Sequence, residues 1–163
     1  MNADERKTLI AQYARGGKDL RAALEKAPER MRKWRPEPGE FSVHEIVVHC
    51  ADSETNSHSR IRYVLAEDDA QISGYDPMNW ATKFDYMNHP IEPSMATVEA
   101  VRANTVPILE ALDEAGWQKS ATHTEHGPGY TAELWLGIYA RHCREHVEQI
   151  EKTVAAWRAA GEP

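Results

Sequence analysis

Two histidines four residues apart, His142 and His146, stand where an otherwise apolar helical stripe should continue. Leu134 and Ile138 lead into them at helical spacing, and Ile150, Val154 and Trp157 follow. Continuing the 3.6-residue period between these groups lands on residue 142 and then on 145 or 146. An i, i+4 pair projects two imidazoles from one helical face, a workable spacing for two nitrogen ligands on one metal ion. The same reasoning on an earlier segment finds His49 one turn beyond Ile46, on or beside its buried stripe. Taken singly, each ring reads more simply as a satisfied core residue, and the pair as an accident on an exposed face. Three together are harder to dismiss, because a buried polar ring without a partner costs roughly 1–3 kcal/mol. Coordination removes that cost. Three inward imidazoles from two helices form a facial site with open coordination positions, the property that separates catalytic from structural metal sites.

Neighbouring residues supply candidate supporting groups. His142-Cys143-Arg144-Glu145-His146 reads H-x-x-E-H, the reversed zincin pattern. At about 100° per residue, Glu145 lies about 80° from the bisector of the two rings, within reach of a coordinated water as general base. The alternative is a solvated flank acid paired with Arg141 or Arg144. Reversed zincins take a third ligand from well downstream, and only seventeen residues remain here, so a protease is disfavoured. Asp52, three residues after His49, is placed to fix a ligand's outer N–H or simply to be exposed. Gln149 either bonds a ligand or borders the core. Cys50 and Cys143 each sit about 100° off the metal direction and read as small core or flank residues. His126, in a Gly-Pro-Gly loop, is a surface residue or a lid, and His44, His58, His89 and His123 are ordinary.

The elements that must position these groups are helical. Leu9, Ile10, Tyr13, Leu20 and Leu24 mark a first helix, loosened at Gly16-Gly17 and closed by Pro28. A breaker-rich connector, Trp34 to Glu40, precedes Ser42-Val43-His44-Glu45, a capping box that opens a second helix running to about Leu65. The link from Glu67 to Pro93 is predicted to hold one short helix around Trp80 to Met87. It is too long for an antiparallel turn and suits a crossover that leaves the second and third long helices parallel. The third helix is predicted to be capped by Ser94, kinked at Pro107 and stopped near Gly116. An irregular loop, Trp117 to Tyr130, leads to a last helix opened by Thr131 and running to about Ala159. No strand pattern is convincing. The expected fold is all-α, a four-helix bundle in one domain over residues 1–163.

Composition agrees with a globular chain and excludes other classes. The 163 residues are 41% hydrophobic and 28% charged, and nineteen basic against twenty-six acidic side chains leave a formal charge of −7. That balance argues against a nucleic-acid platform, which needs a concentrated basic face. No apolar run is long enough for a membrane span, and the N-terminal residues lack an apolar signal core. Two cysteines make no disulfide framework. A cytoplasmic location is expected.

The run Trp34-Arg35-Pro36-Glu37-Pro38-Gly39-Glu40-Phe41-Ser42-Val43, followed by His49-Cys50-Ala51-Asp52-Ser53-Glu54, resembles the DinB-like (YfiT-like) superfamily. So does Leu136-Gly137-Ile138-Tyr139-Ala140-Arg141-His142, continuing to His146-Val147-Glu148-Gln149-Ile150. The resemblance covers Trp34 to the end, and the first helix fits by position only. It implies an up-down-down-up bundle and a divalent metal, nickel or zinc most often, on residues matching His49, His142 and His146. It also implies frequent homodimers and, among characterised relatives, S-transferases using bacillithiol and an isomerase using mycothiol. In that chemistry the metal binds and deprotonates a cofactor thiol. Many relatives carry a second histidine where Glu145 stands, and no residue here identifies a particular thiol.

The leading expectation is therefore a metal-dependent thiol transferase, with His49, His142 and His146 as ligands and Asp52 and Glu145 in supporting catalytic roles. Its partners are a small electrophilic substrate, a low-molecular-weight thiol and a second copy of the chain, with no nucleic acid and no membrane. A hydrolase with Glu145 as general base, and a non-catalytic metal-binding stress-response bundle, are the alternatives.

Overall fold

Side-chain caps set most helix boundaries in the computed structural model, which describes all residues 1–163. Helix α1 (Ala3–Lys26) opens on a reciprocal capping box between Asn2 and Glu5. Helix α2 (Val43–Ala66) opens on the expected box between Ser42 and Glu45. Arg35 of the preceding connector clamps the Glu45 carboxylate from the other side, with Nε–Oε2 at 2.9 Å and Nη2–Oε1 at 2.5 Å. The Trp-Arg-Pro connector is thereby stapled to the start of the helix that carries His49. Burial pushes the Glu45 carboxyl up, but the Arg35 and Ser42 hydrogen bonds outweigh it and leave it below the usual carboxylate range.

The long link after α2 holds helix α3 (Pro77–Lys83), a turn earlier than the sequence predicts because Asp76 caps it by accepting from Met78 and Asn79 N–H. Helix α4 (Ile91–Glu110) also starts earlier than expected. Its N-cap is Pro90, and Ser94 lies one turn inside, its hydroxyl donating to the Pro90 carbonyl at 2.8 Å. The helix continues through Pro107 to Glu110, and Gly116 belongs instead to helix α5 (Glu114–Gln118), which is capped by Asp113. Helix α6 (Ala132–Ala159) is capped by Thr131, as its sequence predicts. No helix is long and apolar enough to cross a membrane.

The expected irregular loop from Trp117 to Tyr130 holds two strands, and the long link after α2 holds a third. β1 (Gln71–Ile72) pairs parallel with β2 (Ser120–His123), which pairs antiparallel with β3 (Gly127–Thr131). Strands of two to five residues are too short to register as alternation, and the Gly-Pro-Gly run hides the third. The expectation of no strands is corrected to that extent; the bundle itself stands.

Two apolar clusters fix the helix directions. One gathers Leu20, Leu24, Val43, Ile46, Met95, Val98, Ile150 and Trp157. The other gathers Tyr13, Ile61, Val64, Leu109, Trp135 and Leu136. Thus the end of α1, the starts of α2 and α4 and the end of α6 share one pole, which is the up-down-down-up order. The neighbours around the bundle are α1 with α6 and α4, and α2 with α4 and α6. Sequence-adjacent α1 and α2 face each other across the diagonal.

Between the two clusters lies a polar layer with Glu54, Ser57 and Arg102 fully buried. Gly16 makes room for it. A Cβ there would stand 2.3 Å from Arg102 Nη1 and 3.0 Å from Cys143 Cβ, so the glycine that should loosen α1 instead admits a guanidinium into an unbroken helix.

Candidate metal centre

At the level of this layer, α2 and α6 bring three imidazoles together. Ring centroids are 5.5 Å apart for His49–His142, 4.9 Å for His49–His146 and 4.6 Å for His142–His146. One ring nitrogen from each lies within 4.8 Å of the other two. The Nε2 atoms of His142 and His146 are 3.2 Å apart. Two nitrogens sharing one ion at about 2.0–2.1 Å, with an angle near 100°, stand at about that separation.

The phase of α6 that produces this is not the one the apolar residues first suggest. Leu134 is 41% exposed, whereas Trp135, Leu136, Tyr139, Ala140 and Cys143 are buried. The Trp135 indole donates to the Ser57 carbonyl at 3.0 Å, which fixes the helix rotation. His142 and His146 fall on the α2-facing edge of that surface.

All three rings are held neutral. Burial, followed by the charge of His146, pushes His49 down to about 3. Burial and the other two rings drive His142 well below its ordinary value, and burial lowers His146. Neutral imidazole is the form that ligates. His146 Nδ1 faces Gln149 Oε1 at 2.9 Å; the Nδ1–H donates and leaves the Nε2 lone pair toward His142. The Nδ1 atoms of His49 and His142 are buried without a partner. Three neutral rings whose nitrogens converge within 4.8 Å of one another fit a divalent ion.

Glu54, which sequence reasoning passed over, stands behind His142. Its Oε1 lies 3.9 Å from His142 Nδ1 and accepts from Arg102 Nη2 at 2.5 Å. Arg102 also donates to the carbonyls of Tyr13 and Tyr139, at 2.7 and 2.9 Å. Burial pushes the Glu54 carboxyl up against the opposing pull of Arg102. The only signal in the sequence was an acid and an arginine at apolar-stripe positions of α2 and α4.

The two acids singled out from sequence sit differently. Asp52 accepts from the Tyr86 hydroxyl and makes no hydrogen bond to His49, so it anchors the crossover segment beside the triad. Glu145 is 59% exposed and 3.9 Å from Arg141, on the outer flank of α6. The flank-acid alternative describes it. Cys50 and Cys143 are buried and unpaired, and burial together with Cys143 pushes the Cys50 thiol well up, which leaves it inert. His126 is exposed, in the turn of the β2–β3 hairpin. His123 is 1% exposed, and its Nδ1 accepts from Glu125 N–H at 3.1 Å, so the ring presents an N–H rather than a lone pair at Nε2.

Residues 12–150 match the DinB superfamily. The chain belongs to that superfamily. Among its DinB relatives is a protein of Oceanobacillus iheyensis, named "putative metal-dependent hydrolase", 31% identical over 112 residues; these are 69% of this chain and 64% of the relative's length. A Geobacillus thermodenitrificans protein of the same name is 26% identical over 148 residues, 91% of this chain and 83% of its own. The fold is similar to that of Bacillus subtilis YfiT, with a TM-score of 0.88 at 22% identity over 99% of this chain and 90% of that one. YfiT is described as "a probable metal-dependent hydrolase with an unusual four-helix bundle topology".

Proposed function

We propose that this DinB protein binds one divalent ion through His49, His142 and His146 and acts as a metal-dependent enzyme on a small molecule, with thiol transfer as its chemistry. The observation that carries the reading is the convergence of three neutral imidazoles, each with a ring nitrogen within 4.8 Å of the other two. The names of the relatives support metal dependence. Imidazole ligands suit zinc and nickel. Such an ion supplies Lewis acidity, which lowers the pKa of a thiol or water delivered to its open positions.

The chain's own residues do the rest. Gln149 orients His146 through Nδ1, and Glu54 stands ready for the Nδ1 proton that His142 carries when its Nε2 is a ligand. Phe41 and Tyr86 wall off one side, with Phe41 5.6 Å from His49. Glu145 faces outward and is not placed to take a proton from water. A thiol, with an ordinary pKa of about 8.5, needs no dedicated base beside a cation. This favours a low-molecular-weight thiol over water.

Hydrolysis is the second reading, favoured by the relatives' names. Its base would be Asp52, whose carboxylate holds only the Tyr86 hydroxyl. Cobalt-substituted protein titrated with 2-mercaptoethanol separates the two. A thiolate-to-metal absorption band in the parent, absent from His142→Ala, is expected. Ester turnover without that band, abolished by Asp52→Asn, overturns transfer in favour of hydrolysis. Metal without either response identifies a binding bundle, and failure to take up metal overturns the site.

A further inference from the structure

Three turns along α2 from His49, Arg60 reaches toward the same wall. Its Nη1 donates to the Tyr139 hydroxyl and its Nη2 to the Ser73 carbonyl, each at 2.8 Å. The guanidinium carbon lies 5.9 Å from the centre of the Tyr75 ring. Nε is buried with no partner. The guanidinium has no carboxylate within 4.0 Å, unlike Arg6, Arg21, Arg35 and Arg102. This half-buried guanidinium, in a chain of net charge −7, is thus held by neutral groups alone and keeps a buried Nε–H with no acceptor.

The arginine is tied to the triad by a short polar path. The Tyr139 ring is 6.0 Å from His142. Ser53 lies beside the hydroxyls of both Tyr75 and Tyr139, and its Oγ is 3.4 Å from His142 Nε2. A second orphan donor stands on the adjoining strand. His123 Nε2 is buried and unpartnered, and after burial itself the charge of Arg60 helps keep that ring neutral. Glu125 packs over Gly74 at the rim without pairing with Arg60. Arg60 Nε–H and His123 Nε2–H are thus two buried donors without acceptors at this end of the site.

We propose that Arg60, flanked by Tyr75 and Tyr139, is the subsite for a carboxylate on the small molecule bound at the metal centre. A planar guanidinium with free N–H groups matches a carboxylate in two-point geometry, and the tyrosine hydroxyls set its position. The inference rests on the metal centre proposed above, but not on the choice between transfer and hydrolysis. The substrate class it names is a carboxylate-bearing small molecule whose reacting group lies one short chain away from the acid.

The test compares 3-mercaptopropionate with 2-mercaptoethanol, thiols of similar length of which only the first bears a carboxylate, by calorimetric titration of zinc-loaded protein. The parent is expected to prefer 3-mercaptopropionate by about ten- to a hundredfold. Arg60→Gln should erase the preference while leaving 2-mercaptoethanol affinity unchanged, and Arg60→Lys should retain part of it. No preference in the parent, or one that survives in Arg60→Gln, overturns the subsite. Should the protein take up no zinc, the metal centre falls by itself. Succinate titrated into the metal-free parent and Arg60→Gln then decides: binding lost in the variant upholds the subsite, and no binding to the parent overturns it.

Discussion

Glu54 Oε1 and Arg102 Nη2 meet at 2.5 Å in the middle of the bundle, with the two side chains 0% and 1% exposed. The pair lies between two apolar clusters and directly behind His142, so the polar layer of the core and the back wall of the metal centre are one structure. Removing one partner leaves an uncompensated buried charge. Arg102→Met should lower unfolding stability by about 3–5 kcal/mol, measured by urea denaturation. Adding Glu54→Gln should recover part of that loss; a double variant as unstable as the sum of the singles would show that the two act independently.

Metal should be separable from the fold. His142→Ala is expected to lose stoichiometric zinc while keeping a helical circular-dichroism spectrum, because the apolar clusters at both poles remain. In the parent, chelation should lower Tm, since an ion at a hundred times its Kd contributes about 2.7 kcal/mol. A variant that unfolds outright would make the site structural.

Acid should weaken the metal-free protein from near pH 6.5 downward. His49, His142 and His146 all have folded pKa values below the unfolded value, so between the two the unfolded chain binds more protons. Stability is complete above about 6.5 and falls as pH drops, by up to about 1.4 kcal/mol per pH unit for each such group. For His49 the fall continues to about 3. His49→Gln should flatten the slope in denaturation curves taken between pH 6.5 and 4.5; an unchanged slope would mean the ring is not held neutral.

Gly16→Ala should destabilise, against the ordinary helix rule. In an open helix the change gains about 1 kcal/mol. Here the new methyl meets Arg102 Nη1, which is fixed by the Tyr13 carbonyl and cannot retreat. A loss of about 1–3 kcal/mol is expected from thermal melts. Gly137→Ala, whose Cβ would meet nothing nearer than Arg141 Nη1 at 3.8 Å, is the control.

Glu145→Gln should leave zinc affinity and any turnover within about twofold, because an exposed i, i+4 pair contributes little. A large loss would return this residue to the site as a base.

The sequence carried the bundle and the triad because each rests on period. Helical spacing marks where a side chain faces, and histidines interrupting an apolar stripe are visible as exceptions. Capping boxes are local, so Ser42 with Glu45 could be read directly. The supporting residues rest on contacts between distant segments. Nothing near Asp52 announces Tyr86, and nothing near Glu54 announces Arg102; both partners arrive through the crossover topology. Glu145 left two readings open for the opposite reason. Its motif is local, but its side chain had a solvent-facing arginine one turn away. The strands escaped because pairing between Ile72 and His123 needs the folded chain to exist first.

The diagonal arrangement of α1 and α2 bears on how the protein is made. Since His49 comes from α2 and His142 and His146 from α6, a nascent chain must be synthesised past His146 before the three rings of the proposed site can converge. A product terminated before α6 would carry only His49 of the three converging rings.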